Sequence, residues 1–424
     1  MAMRPPLAAT ARCSRAIVTA RAVLPARPAH RLAVSPAPHS ARAFQAWLPG
    51  LGRWLVPSAR RAALPPAGLD VSGGESSTSS ADGEGEEGSA STPCPPVADL
   101  VRAGTPLGLG FAAGGLLFPY LSGVAFGLAD AGIIDPQRTP LAGASAGALI
   151  AACVGSGMDR AAVDAACDAL AADCRASGTR GRLGSVLEDF LEAHLPPDAA
   201  ERLNGRVYVA VTRVGSRRVA AAAAGAAGGG RPGGTAASAV ARSSAWAADL
   251  LARLPAPAGL LVSDFASRAD LISALLTSCH IPLWMDGRLA RTFRGEAHLD
   301  GGLTQFLPLP PTSDGAGVGV CAFPSRRTLL PALGADRLIA PDVHDPAWDV
   351  NLPTLLSWAF HPAGEAEFSA LSVKGEADAA AWAAESGVGA AVAEVRARAA
   401  AEAGAPLLER PVGPAVVPLV DPVQ

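Results

Sequence analysis

Three short stretches of this chain carry residue types suited to acyl-transfer chemistry. Gly143-Ala144-Ser145-Ala146-Gly147 is a G-x-S-x-G sequence. Its mechanical meaning is a sharp turn from strand into helix. Gly143 and Gly147 permit close backbone approach, and Ser145 is held out at the top of a sheet. The helix N-terminus behind it favours developing negative charge. His298-Leu299-Asp300-Gly301-Gly302-Leu303 presents a carboxylate followed by two glycines, an unobstructed acid in a turn. Gly110–Leu116 is a small-residue loop rich in bare backbone. Acyl transfer needs N–H donors aimed at a tetrahedral oxyanion, and Gly114, Gly115 and Leu116 are the candidates. The loop is not G-x-G-x-x-G and no ribose-binding acid follows it, which disfavours a dinucleotide site. Each stretch also has a plain reading as a tight turn.

The elements that must position these residues alternate. Pro106–Phe111, Thr139–Gly143, Arg206–Arg213, Gly259–Phe265 and Gly317–Phe323 read as strands. Leu116–Ala131, Ala146–Gly155, 159–176, 182–194 and Ala269–Thr277 read as helices. The alternation predicts an α/β fold, a three-layer α/β/α arrangement around a mostly parallel sheet. Residues 103–129 and 139–158 carry no charge, and by length alone each would suit a membrane span. Their Gly content, Pro119 and the polar turn at Asp130, Asp135 and Arg138 fit buried strands and tightly packed helices instead.

Composition sets the boundaries. Half of the 424 residues are apolar, enough for one large domain with extensions. Residues 1–69 hold ten Arg and no Asp, Glu or Lys, so the net charge of −3 leaves −13 for the remainder. A chain that acidic lacks the basic stripe that nucleic-acid binding needs. The Arg-rich, acid-free start describes an organelle transit peptide, chloroplast or mitochondrial. Residues 70–96 read as a disordered acidic Ser/Gly linker. The catalytic domain is expected over 97–345, with an Ala/Gly-rich insertion at 215–257, and a helical C-terminal extension over 346–424. Seven Cys without a C-x-x-C pair give no disulfide framework or zinc site.

Five stretches, in order, resemble the patatin-like phospholipase family, in particular its adipose triglyceride lipase and adiponutrin branch. Leu109–Leu116 is similar to its oxyanion loop, Gly143–Gly147 to its nucleophile elbow, and Val209–Arg213 to a strand motif. Ser263–Ile272, running into Thr277-Ser278-Cys279-His280-Ile281-Pro282, is similar to the segment before its catalytic acid. Asp300–Pro308 is similar to its Asp-Gly-Gly turn, including Gly301 and Gly302. The chain departs at Ala113, where the family usually has Gly, and at Leu117 and Phe118. The insertion has no counterpart, and the branch's long apolar C-terminal region is missing, so droplet targeting does not carry over.

The resemblance implies a Ser–Asp dyad, with Ser145 as nucleophile and Asp300 as base, and no metal or organic cofactor. The implied function is ester cleavage in glycerolipids, as a triacylglycerol lipase or a phospholipase or galactolipase. The substrate would be met at a membrane or lipid-droplet surface, and any protein activator is unknown. Acyl transfer to another alcohol is a near alternative, and a catalytically silent lipid-binding protein another. His298 shares a strand face with Asp300 and is a rival base in a triad. His280 reads as a structural residue beside the site.

Overall fold

The computed structural model describes residues 95–215, 257–313, 315–325 and 333–402. The transit peptide expected at 1–69 lies outside the described residues. So do nearly all of the linker at 70–96 and of the insertion at 215–257.

Three short apolar runs make the centre of the sheet. β1 (Gly108–Phe111), β2 (Leu141–Ala144) and β7 (Gly317–Val320) are buried at every residue. Burial on both faces is why they read as unbroken small and apolar runs and show no alternation. β1 lies between β2 and β7 and is parallel to both, with Leu109 opposite Leu141 and Val318. β3 (Val207–Gly215) extends the parallel sheet beyond β2, and β8 (Leu338–Ile339) extends it beyond β7. β4 (Ala258–Val262), β5 (Arg291–Phe293) and β6 (Glu296–Asp300) add antiparallel pairings. The order is β5-β6-β3-β2-β1-β7-β8, with β4 also on β3. The sheet is mixed and mostly parallel, with helices on both sides, the three-layer α/β/α arrangement that the alternation of elements predicts.

The register of β3 matters most. β2 pairs with Val207–Ala210 of β3, and β6 pairs with its second half, from Val211 on. β4 spans Val209–Arg213 and overlaps both pairings, so it must occupy the opposite edge. β2 and β6 therefore lie end to end along one edge of β3. They run in opposite directions, and their C-terminal ends meet. Ala144 is opposite Ala210, and Asp300 is opposite Val211, the next residue.

α1 (Val97–Arg102) opens the described chain. α2 (Phe118–Asp130) is apolar nearly all round and is buried along most of its length. α3 (Ala146–Gly155) packs on β1, β2 and β3 directly behind the elbow. α4 (Arg160–Ser177) is capped by Asp159, whose carboxylate accepts from Ala162 N–H at 3.1 Å. α5 (Leu183–His194) and α6 (Ala199–Leu203) lead into β3. α7 (Arg268–Ser278) is capped by Ser267. α8 (Leu352–Phe360), α9 (Glu365–Glu385) and α10 (Val388–Glu402) follow the sheet. Five of the helices, α2 to α5 and α7, lie where the sequence pattern predicts them. α9 lies across α2 with Gly123 and Gly375 at the crossing. A Cβ on Gly375 would sit 2.1 Å from the Tyr120 carbonyl oxygen, and one on Gly123 2.0 Å from that of Ser372.

Some boundaries differ from the expected ones. The strand expected over Gly259–Phe265 stops at Val262. Side-chain and loop bonds take over there: Gly205 N–H donates to Ser263 C=O at 2.7 Å, and Phe265 N–H to Asn204 Oδ1 at 2.6 Å. β5, β6 and β8 are too short and too polar or isolated to show as strands in the sequence. The uncharged stretches 103–129 and 139–158 resolve into strand, turn and helix. Among the described residues no helix is long and apolar enough to cross a membrane.

Candidate active site

The elbow is strained where the sequence pattern demands it. Ser145 sits at φ 52 and ψ −124, a conformation that a non-glycine residue keeps only when its surroundings enforce it. They do so through the flanking glycines. A Cβ on Gly143 would lie 2.2 Å from the Gly147 carbonyl oxygen, and one on Gly147 would lie 2.2 Å from that of Phe111. The turn is thus clamped between its own helix and the end of β1. Ser145 N–H donates to the buried Ser278 Oγ at 2.9 Å.

Asp300 is fixed by its backbone and its carboxylate together. Its N–H donates to the His280 carbonyl at 2.9 Å. Its own carbonyl accepts from Thr212 Oγ1 at 2.8 Å. Gly302 N–H donates to Oδ1 at 2.7 Å, which aims the carboxyl group. Gly301 presses against β3, where a Cβ would lie 2.0 Å from the Ala210 carbonyl oxygen. Burial pushes the Asp300 carboxyl up from 3.8 to about 7. Its interactions with the Ser145 hydroxyl and the Gly302 N–H pull in the other direction. The head-on meeting of β2 and β6 is what brings the serine and the acid together, and the pKa near neutrality is a consequence of how deep that meeting point lies.

The loop after β1 spends its first N–H groups on structure. Ala112 N–H donates to Val320 C=O and Ala113 N–H to Phe306 C=O. The next three N–H groups, of Gly114, Gly115 and Leu116, meet no acceptor among the described residues. Gly115 has φ +54 and turns the chain into a short 3₁₀ turn, Gly115–Leu117. These are the positions expected to offer donors. The Ala113 departure does not interrupt them, since Ala113 N–H is engaged with Phe306.

Gly115, Leu116 and Ser145 open on an apolar cleft. α3, α4 and α5 wall it with Leu149, Leu170, Leu187 and Phe190, and Trp284 and Phe360 close another side. No charged side chain lines it. That is the lining an aliphatic chain would select.

The histidines stand apart. The ring of His298 makes its bond with the Glu296 carbonyl through Nδ1 at 3.2 Å and stacks edge-on against Phe293. Burial lowers its pKa. The groups that tune Asp300 do not include it. His280 is buried, with its pKa also lowered by burial, and serves Asp300 through its backbone carbonyl. Ser278, Cys279 and Thr212 belong to the site but were not singled out from the sequence as site residues. Cys279 lines the cavity, interacts with Ser145 and lies within electrostatic reach of Asp300, and burial raises its pKa and keeps it a protonated thiol. Among the described residues no cluster of three or more His, Cys, Asp or Glu is arranged to hold a metal.

A strand–turn–helix elbow facing a buried carboxylate over an apolar cavity defines an acyl-transfer type of site. Residues 109–312 match the model of the patatin-like phospholipase family. The chain is 24% identical to mouse omega-hydroxyceramide transacylase over 234 residues, 54% of this chain and 32% of that protein. It is 26% identical to human patatin-like phospholipase domain-containing protein 4 over 236 residues, 53% of this chain and 75% of that one. To mouse 1-acylglycerol-3-phosphate O-acyltransferase Pnpla3 it is 24% identical over 127 residues, 30% of this chain and 21% of that one. The chain thus spans only part of each of these relatives. Residues 109–312 thus carry a patatin-like phospholipase domain.

Proposed function

We propose that this chain is a lipid acyl hydrolase that cleaves glycerolipid esters through Ser145 and Asp300. The observation that carries the reading is the meeting of the strained Ser145 with the buried Asp300, whose pKa is near 7, at the mouth of an apolar cavity. An acid of ordinary pKa would be a poor base for a hydroxyl, and the desolvated one is better matched to the task. Ser145 attacks the ester carbonyl as Asp300 takes its proton. The oxyanion faces the N–H groups of Gly114, Gly115 and Leu116. Asp300 returns the proton to the departing alcohol, leaving an acyl-enzyme with its chain in the cavity. Water, activated by Asp300, completes hydrolysis. An acceptor alcohol in place of water gives acyl transfer, the activity in the names of two relatives.

The direct test is labelling of the full chain with a fluorophosphonate and mapping of the modified residue. We expect a single adduct, on Ser145. Absence of labelling, with the protein folded, would leave a silent lipid-binding protein as the better reading.

The approach to the cavity suggests where lipid is met. Residues 350–364 contain no charged residue, and α8 within them is only half-buried at Leu352, Leu356 and Trp358. The same helix lines the cavity through Ala359 and Phe360, and Trp284 packs edge-on against Phe360 at 5.1 Å. An uncharged apolar rim continuous with the acyl cavity suits contact with a lipid surface. Leu356→Glu and Trp358→Glu are expected to lower turnover of phospholipid vesicles at least tenfold while a soluble short-chain ester is cleaved at nearly the normal rate. Equal losses on both substrates would dismiss the surface role.

A further inference from the structure

β2 and β6 both pair with β3 but not with each other, because they lie end to end. No ladder of backbone bonds crosses the point where Ser145 meets Asp300. One short segment does cross it. α7 ends at Ser278, and the chain continues through Cys279 and His280. Ser278 Oγ accepts the Ser145 N–H at 2.9 Å, and the His280 carbonyl accepts the Asp300 N–H at 2.9 Å. Cys279, between them, interacts with the Ser145 side chain and lies within electrostatic reach of Asp300. Two residues of one three-residue segment therefore hold the main chains of Ser145 and Asp300 at once.

We infer that Ser278 is a positioning residue, whose hydroxyl oxygen locks the Ser145 turn at a fixed separation from Asp300. This rests on the reading of Ser145 and Asp300 as nucleophile and base. The Ser145 N–H is the first beyond the end of β2 and is buried. Without Ser278 Oγ it would have no acceptor among the described residues, and a buried unpaired N–H drives local rearrangement. Ser145 is also the residue with least tolerance for rearrangement, since its φ of 52 is held only by its surroundings. Release of the N–H lets the turn relax and the hydroxyl drift from the carboxylate. Small misplacements of that kind cost rate and leave binding of the acyl chain, made in the cavity, largely intact.

The experiment compares Ser278→Thr with Ser278→Val in the full chain. The two side chains have the same shape, and only Thr keeps the acceptor. Ser278→Val is expected to lower kcat on a soluble ester by roughly a hundred-fold with KM little changed. The fluorophosphonate labelling rate should fall in parallel. Ser278→Thr should be at least tenfold faster than Ser278→Val in both measurements. If the valine variant does not fold, Ser278→Ala, which adds no bulk, is compared with the wild type and should show the same loss of kcat. Equal rates for the Thr and Val variants, or a full-rate Ala variant, would overturn the inference. Ser145→Ala in the same assay separates the two ideas, since its continued activity would defeat the nucleophile assignment itself, whatever Ser278 does.

Discussion

Asp300→Asn is expected to inactivate this protein and to make it more stable. In the proposed dyad, loss of the carboxylate that faces Ser145 should lower kcat on the order of a thousand-fold or more, as for other residues that act as a catalytic unit. The stability gain follows from the sign of the pKa shift. Asp300 has a pKa of about 7 when folded, against 3.8 ordinarily. Below about pH 4 the acid is protonated in both states and its titration costs nothing. As pH rises the unfolded chain ionises first, so the folded state loses ground steadily up to about pH 7 and then no further. The full penalty at pH 8 is ~4 kcal/mol. Asn carries no charge to desolvate and can still accept the Gly302 N–H bond. Denaturation of both proteins at pH 4 and pH 8 checks this: the variant's advantage should be small at the lower pH and large at the higher. A variant less stable than wild type at pH 8 would show that Asp300 is not held against its own ionisation.

The same pKa fixes the pH profile. In a dyad kcat/KM should rise through about pH 7, where Asp300 ionises, and the limb should persist in His298→Ala. A triad through His298 would place the limb below the usual histidine value, because burial lowers that ring's pKa, and the limb would vanish with the ring.

Gly375→Val should be among the most destabilising single changes available. Its side chain would project into the backbone of α2, where even a Cβ lies 2.1 Å from the Tyr120 carbonyl oxygen. Neither partner is a flexible side chain that can give way, so the helices must separate. That separation breaks a buried polar group of unusual composition. Tyr120 Oη donates to Asp378 Oδ2 at 2.8 Å, and Asp378 is also paired with Lys374, the only lysine in the chain. Lys374 donates in turn to the Pro341 carbonyl at 3.1 Å. Overpacking alone typically costs ~1–3 kcal/mol, and a broken buried pair adds ~3 kcal/mol or more. A fall of at least ~3 kcal/mol in urea denaturation is therefore expected. Activity should fall with it even where the variant remains folded, since α2 begins at Phe118, directly after the loop whose N–H groups are proposed to meet the oxyanion. Wild-type stability in Gly375→Val would mean that the two helices are not in close contact.

What could be read from the sequence was local. The elbow, β1, β2 and α3 were legible because each is a contiguous pattern: an apolar run, two glycines at a fixed spacing, and an uncharged helix. The buried character of α2 was visible, but not what buries it, since Gly375 lies far along the chain from Tyr120. β6 was hidden because it is five residues long and holds Glu296, His298 and Asp300, which do not look like strand interior. The head-on geometry with β2 depends on two registers against β3, neither of which leaves a mark in either segment alone. The Ser278 bond spans 133 positions of sequence. The Asp300 pKa depends on depth, and depth belongs to the assembled sheet.

The end-to-end arrangement along β3 also bears on where this chain tolerates insertion. The Ser145–Asp300 meeting point is measured off at Ala210 and Val211, and β3 runs on to Gly215 before turning back through β4, which starts at Ala258. The connection therefore leaves β3 four residues past Val211, about 13 Å away at the usual rise of ~3.3 Å per residue. Pairing of Arg213 with Ala258 closes the hairpin whatever lies between. Lengthening such a connection costs only a logarithmic increment of entropy. The β3–β4 junction is thus a place where the gene can gain or lose sequence with little effect on the chemistry. It is also the natural point at which to splice a reporter peptide into the chain.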